Sequence, residues 1–93
     1  MHTSFIFQPL KTSYPISAEH LSKDITFLLE FSGSDSRAKM TLKLVNALQR
    51  NGFSTMEDVV NATAKRIQLI KRVGDKSFDL LLELLETVSD SKI

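Results

Sequence analysis

The sequence predicts an all-α protein: a compact bundle of four short helices preceded by an extra N-terminal amphipathic helix. Apolar residues recur at a spacing of three and four residues in five segments, as they do on one face of a helix. Residues that favour helix starts stand before several of these segments. A chain of 93 residues forms one small core. We divide it into an N-terminal segment, residues 1–36, and a C-terminal module, residues 37–93.

The N-terminal segment is predicted to contain one helix. Apolar residues recur at helical spacing over residues 18–31, and Ser17 is the expected N-cap. Pro15 prevents an earlier start. Gly33, within a serine-rich stretch, ends the helix and marks an internal boundary. Ahead of the helix, residues 5–7 form either a short strand or an arm that packs its aromatic rings on the main body.

The C-terminal module is predicted to contain the helices 37–51, 56–60, 64–70 and 75–88. The first ends at Gly52 and starts either at residue 37 or at Thr41, whose side chain is a candidate cap inside the pattern. Thr55 and Asp58 have the spacing of a capping box, which starts the second helix. Thr63 caps the third.

The last helix carries more leucine than a single core-facing stripe needs. These residues are Leu80, Leu81, Leu82, Leu84 and Leu85. One interpretation is that the N-terminal helix covers the excess. The other is that a second protein covers it, or a second copy of this chain, in a homodimer formed through the N-terminal or the C-terminal leucine-rich helix.

The stretch from Ile67 to Phe78 has the pattern of a helix-hairpin-helix element. An apolar helix end is followed by a tight basic turn and a new helix, whose first amides and positive dipole end suit a phosphate. Gly74 stands where either a left-handed backbone or the close approach of a ligand requires glycine. A plain turn, with Gly74 as the C-cap of the preceding helix, is the alternative.

The charge is distributed unevenly although the net charge is only +1. Residues 37–76 contain nine Lys and Arg and three acidic residues, which is a net charge of +6. Residues 1–36 carry −2 and residues 77–93 carry −3. A basic middle between acidic ends indicates one positive face for nucleic acid, or else an ordinary solvated helix surface.

Several function classes are disfavoured by composition. Without cysteine there is neither a disulfide framework nor a thiolate metal site, and His2 and His20 have no partner at ligand spacing. Neither a phosphate loop nor a nucleophile motif is present, so we expect no enzyme, no metal and no cofactor. The N-terminus lacks the features of a signal peptide and no apolar run approaches the roughly 20 residues of a membrane span. We expect a soluble cytoplasmic protein.

Residues 41–88 resemble the C-terminal domain of the bacterial RNA polymerase α subunit. The matching residues are Thr41, Asn46, Leu48, Phe53 after a glycine, Asp58-Val59-Val60, Thr63, Gly74, Lys76 and Ser77. An asparagine followed at this separation by Gly-x-Lys-Ser is more specific than any one of these residues. The resemblance implies a bundle of four short helices containing a helix-hairpin-helix.

The resemblance also implies DNA binding in the minor groove of A/T-rich duplex, in transcription or its regulation. The DNA-binding residues it implies, with Arg72 added from the basic turn, are Lys43, Asn46, Arg72, Gly74, Lys76 and Ser77. Lys43 stands where the family has arginine. Lysine lacks the planar guanidinium group, which weakens recognition of a narrow minor groove. Leu80 replaces an acidic residue and is expected to be exposed near the interface unless something covers it.

The alternative function is a protein-interaction module that docks on RNA polymerase or a transcription regulator without binding DNA. A helix-hairpin-helix accessory in DNA repair or recombination is a third reading. The DNA-binding hypothesis makes one spatial prediction: residue 43 and the turn at residue 74 lie on the same side of the molecule and form one electropositive ridge.

Overall fold

The computed structural model describes residues 8–90, and their regular structure is helical. The 3-10 helices are η1 (Leu10–Thr12) and η2 (Ile25–Phe31), and the α-helices are α1 (Ala18–Leu21), α2 (Asp35–Arg50), α3 (Met56–Asn61), α4 (Ala64–Gln68) and α5 (Asp75–Asp90). The all-α prediction is confirmed. The strand or arm predicted for residues 5–7 lies outside the described residues.

The prediction of one continuous helix over residues 18–31 is wrong. The chain is extended at Asp24 (φ −61°, ψ 151°), which separates α1 from η2. Long-range backbone pairing explains the break: the amide of Ile25 donates to the carbonyl of Ser54 (2.9 Å), and Asp24 forms an isolated antiparallel bridge with Thr55. These hydrogen bonds replace the ones that a continuous helix would make.

Helix α2 starts earlier than either position predicted from the sequence. It begins at Asp35, and the side chain of Ser34 caps it by accepting a hydrogen bond from the amide of Arg37 (3.3 Å). Thr41 is not a cap, because it is buried in the middle of the helix and its hydroxyl donates to the Arg37 carbonyl (2.7 Å). Helix α2 ends at Arg50, one residue before its predicted end, and its C-cap is Asn51 rather than Gly52. Gly52 is the next residue and has φ +92°.

Local capping starts the next two helices as the sequence predicts. The Thr55 hydroxyl accepts from the amide of Asp58 (3.2 Å), and the Asp58 carboxylate accepts in return from the amide of Thr55 (3.1 Å), which completes the capping box of α3. The Thr63 hydroxyl accepts from the amide of Arg66 (3.1 Å) and starts α4. Helix α4 ends two residues before its predicted end, and α5 extends two residues beyond.

One hydrophobic core includes residues from both sides of the predicted boundary at residue 36. Leu10, Ile25 and Leu28 of the N-terminal segment are fully buried in the same cluster as the apolar residues of α2 and α5. Helix η2 packs against both α2 and α5. The described residues of both segments pack into the same core. The division of the chain into two units remains a prediction.

The leucines of α5 are covered by the chain itself. Leu80 is only 5% exposed, and Leu81, Leu84 and Leu85 are completely buried. Leu80 is therefore covered rather than exposed, because α5 packs against η2 as well as α2. This agrees with the interpretation that the N-terminal segment covers the excess leucines. Within residues 8–90, each helix is too short or too polar to cross a lipid bilayer.

Candidate nucleic-acid interface

One face of α2 presents three long polar side chains to solvent. Lys43, Asn46 and Arg50 are separated by three and four residues, which places them on the same side of the helix, and all three are exposed. Ala47 lies among them and is only 2% exposed. The other core-facing residues of α2 lie on the opposite side of the helix. This face therefore consists of exposed polar side chains around the small apolar side chain of Ala47.

The connection between α4 and α5 adds a further cation to this face. Lys43, Asn46, Ala47, Arg50 and Arg72 line one open groove with a volume of about 410 Å³, which we call the basic groove. Three of its five lining residues are cationic and none is acidic. Residues that are distant in the sequence therefore form one electropositive surface.

Buried neighbours hold Arg72 in this position. Ile70 and Val73 are 8% and 6% exposed and anchor the connection in the core. The amide of Val73 donates to the carbonyl of Ile70 (3.0 Å), which closes a turn between them. The side chains of Lys71 and Arg72, within this turn, are left in solvent.

Gly74 does not adopt the conformation that the sequence led us to expect. Its φ lies outside the left-handed region, unlike that of Gly33 and Gly52, so the expected left-handed backbone is wrong. It is not the C-cap of α4 either, because that position is Leu69. A Cβ placed on Gly74 would meet no atom within 4 Å. Of the reasons considered for glycine here, only the approach of a ligand remains, and it remains a prediction.

Helix α5 begins at Asp75, where the sequence predicts a helix start. Its first backbone hydrogen bond is the one from the amide of Phe78 to the carbonyl of Gly74 (2.9 Å). Among residues 8–90, nothing accepts a hydrogen bond from the amides of Asp75, Lys76 and Ser77. Asp75, in the first turn, adds one negative charge near this positive end.

Lys76 lies in a neighbouring groove rather than among the residues that line the basic groove. This second groove, about 280 Å³ in volume and called the mixed-charge groove, is lined by Arg37, Met40, Lys76, Asp79, Leu80 and Glu83. An ion pair connects Arg37 Nη2 to Glu83 Oε1 across 3.2 Å. Two carboxylates therefore offset the two cations of the mixed-charge groove.

Arg50 lines the basic groove but is not among the site residues predicted from the sequence. The spacing in the sequence indicates this position, because Arg50 follows Lys43 by two helical turns and Asn46 by one and therefore shares their helix face. The basic groove does not include every cation of the basic segment. Arg66 lies over the ring of Phe53 at 5.4 Å from its centroid and borders another depression, together with Asp58.

Comparison with protein-family models, curated proteins and solved structures found no match. The resemblance to the C-terminal domain of the RNA polymerase α subunit therefore rests only on the residues quoted above, and what it implies remains a prediction.

Proposed function

We propose that this protein binds double-stranded DNA through the basic groove and acts in transcription or its regulation. The observation that supports the proposal is that Arg72 lines the same groove as Lys43 and Asn46, although the connection and α2 are far apart in the sequence. A concave surface lined by three cations and no carboxylate attracts the phosphate backbone.

The residue types in the basic groove suit two kinds of DNA contact. Lysine and arginine neutralise phosphates and release counterions, which contributes affinity but no sequence information. The amide of Asn46 both donates and accepts hydrogen bonds, so it is suited to sugar or base edges between the phosphates. The preference for A/T-rich duplex comes from the resemblance and agrees with cations entering a narrow minor groove.

The alternative function, a protein-interaction module, was based on an exposed leucine-rich face of α5. It requires exposed leucines on α5, and four of the five are buried in the core of the chain. The same burial removes the basis for a homodimer through that helix. Among residues 8–90, the exposed large apolar side chains are Leu42 (48%), on α2, and Leu69 (73%), at the end of α4.

The proposal is tested by fluorescence anisotropy of a labelled A/T-rich duplex titrated with the full chain over a series of salt concentrations. Three phosphate contacts predict a slope of log K against log salt of about −2.7. Lys43→Gln and Arg72→Gln are each expected to reduce the magnitude of that slope by about one.

Lys65→Gln is the matched control, because it removes the same charge from an exposed position on α4 that does not line the basic groove. Its affinity is expected to stay within about twofold of the wild type at moderate salt. Binding that does not depend on salt, or an equal loss in all three variants, contradicts the proposal. Amide NMR shifts confined to residues 43–50 and 69–77 on adding duplex support it.

A further inference from the structure

The geometry points to Arg50, and not Lys76, as the third phosphate contact of this protein, so that the DNA backbone follows α2 towards its C-terminus. This inference rests on the proposed DNA binding and specifies which residues form the contact surface. It differs from what the resemblance implies, namely that Lys76 contacts the DNA backbone.

Arg50 is placed to act together with Lys43. The two residues are two helical turns apart on one face of α2, which corresponds to about 10.5 Å along the helix axis. That distance equals about three base-pair steps of B-form DNA. Arg72, in the connection between α4 and α5, lines the same groove, so the three cations share one concave surface. The planar guanidinium of Arg50 offers a phosphate two parallel hydrogen bonds.

Lys76 has a different electrostatic environment. Asp79 and Glu83 follow it by three and seven residues, on the same face of α5, and both line the mixed-charge groove with it. Glu83 is paired with Arg37, whereas no ion pair within residues 8–90 engages Asp79. A phosphate that approaches Lys76 is therefore repelled by the Asp79 carboxylate, which weakens the contact.

Arg50 also has a structural alternative, because a cation in the last turn of a helix interacts favourably with the helix dipole. A purely structural role predicts a loss of stability on substitution without a change in the salt dependence of binding. The test therefore needs both measurements.

The experiment compares Arg50→Gln with Lys76→Gln, each of which removes one positive charge, using the same duplex and salt series as above. Arg50→Gln is expected to weaken binding roughly tenfold and to reduce the magnitude of the salt slope by about one. Lys76→Gln is expected to stay within about twofold. Arg50→Lys keeps the charge, so it is expected to keep the slope while it loses the bidentate contact.

A double-mutant cycle tests the role ascribed to Asp79. Asp79→Asn is expected to tighten binding, because it removes a repulsive charge and leaves the Arg37–Glu83 pair intact. In the Asp79→Asn background, Lys76→Gln is expected to weaken binding more than it does in the wild-type chain. Additive effects overturn the assigned repulsion.

The outcomes separate this inference from the proposed function. If Lys76→Gln costs as much as Arg50→Gln, or more, the inference fails while DNA binding stands. If Arg50→Gln lowers stability but leaves the salt slope unchanged, its role is structural and the inference fails. If Lys43→Gln and Arg72→Gln also leave binding unchanged, the proposed function fails and this inference fails with it.

Discussion

At the scale of single residues, two glycines that look alike in the sequence have different roles. Gly52 follows α2 with φ +92°, a conformation that L-residues with a Cβ adopt only at a cost. Gly74 has no such φ and is surrounded by open space. The fold therefore requires glycine at position 52, whereas at position 74 it does not.

Substituting each glycine by alanine tests this distinction. Gly52→Ala is expected to lower the free energy of unfolding by about 1 kcal/mol. Gly74→Ala is expected to leave it unchanged or to raise it by up to about 1 kcal/mol, because alanine restricts the unfolded chain. Urea denaturation measures both variants, and an equal loss of stability in the two would contradict the conformations described here.

The same Gly74→Ala variant bears on the proposed DNA binding. If a phosphate approaches the backbone of residue 74, the added methyl group blocks it and the affinity falls while stability does not. Anisotropy titration of the variant measures this directly. Wild-type affinity in a stable Gly74→Ala protein would remove residue 74 from the interface.

At the scale of secondary-structure elements, two aspartates define where helices start. Asp58 accepts hydrogen bonds from the amides of Ser54 and Thr55 at the start of α3, and these lower the pKa of its carboxyl group. The hydroxyl and the amide of Thr26 donate to Asp24 at the start of η2 and lower the pKa of that carboxyl group as well. Both helix starts therefore depend on ionised carboxylates.

This dependence predicts acid sensitivity with a definite sign. A carboxyl group whose pKa is lower in the folded state contributes stability above its unfolded pKa, and that contribution is lost as the pH falls through the folded pKa. The free energy of unfolding is therefore expected to decrease as the pH falls below about 4.

Asp58→Asn supplies the comparison for the pH dependence. The variant keeps an oxygen acceptor but no charge, so it is expected to be less stable than the wild type near neutral pH. The difference should narrow in acid, where the wild-type carboxyl group is protonated too. Urea midpoints measured from about pH 6 to about pH 2 show this; a constant difference across that range would exclude a role for the Asp58 charge.

The elements also show where periodicity misleads. Apolar residues recur at helical spacing through Asp24, yet the chain is extended there because the neighbouring backbone pairs with the segment before α3. Periodicity predicts which residues face the core, and Ile25 and Leu28 are indeed buried. It does not predict that long-range hydrogen bonds interrupt the helix just before Ile25.

At the level of the whole molecule, Leu10, Ile25 and Leu28 of the N-terminal segment contribute to the common core. Leu28 is fully buried in the common cluster, and η2 packs against both long helices. Leu28→Ala is expected to lower the free energy of unfolding by about 3 kcal/mol, because it leaves a cavity in the interior. For a small domain this is a large share of the total stability.

Leu42→Ala is the matched control for Leu28→Ala, since it removes the same atoms from a leucine that is 48% exposed. It is expected to change the free energy of unfolding by less than about 0.5 kcal/mol. Urea denaturation at neutral pH measures both variants. Equal effects would mean that the N-terminal segment does not stabilise the C-terminal module.

The packing of the whole molecule separates predicted site residues into two grooves. Lys43, Asn46 and Arg72 line one groove, as the predicted ridge requires, whereas Lys76 lies in the mixed-charge groove. The sequence identified the basic segment between residues 37 and 76 but not this partition, because the carboxylates beside Lys76 belong to the acidic part of the chain that follows.

The helical class, the capping box at Thr55, the cap at Thr63 and the glycine that follows α2 could all be predicted from the amino-acid sequence. These features are local, since each depends on hydrogen bonds or backbone angles within about four residues. The break at Asp24, the burial of Leu80 and the position of Arg50 and Arg72 in one groove result from tertiary packing. Each of these depends on which distant segments pack together, and an apolar stripe or a basic stretch does not specify its own partner.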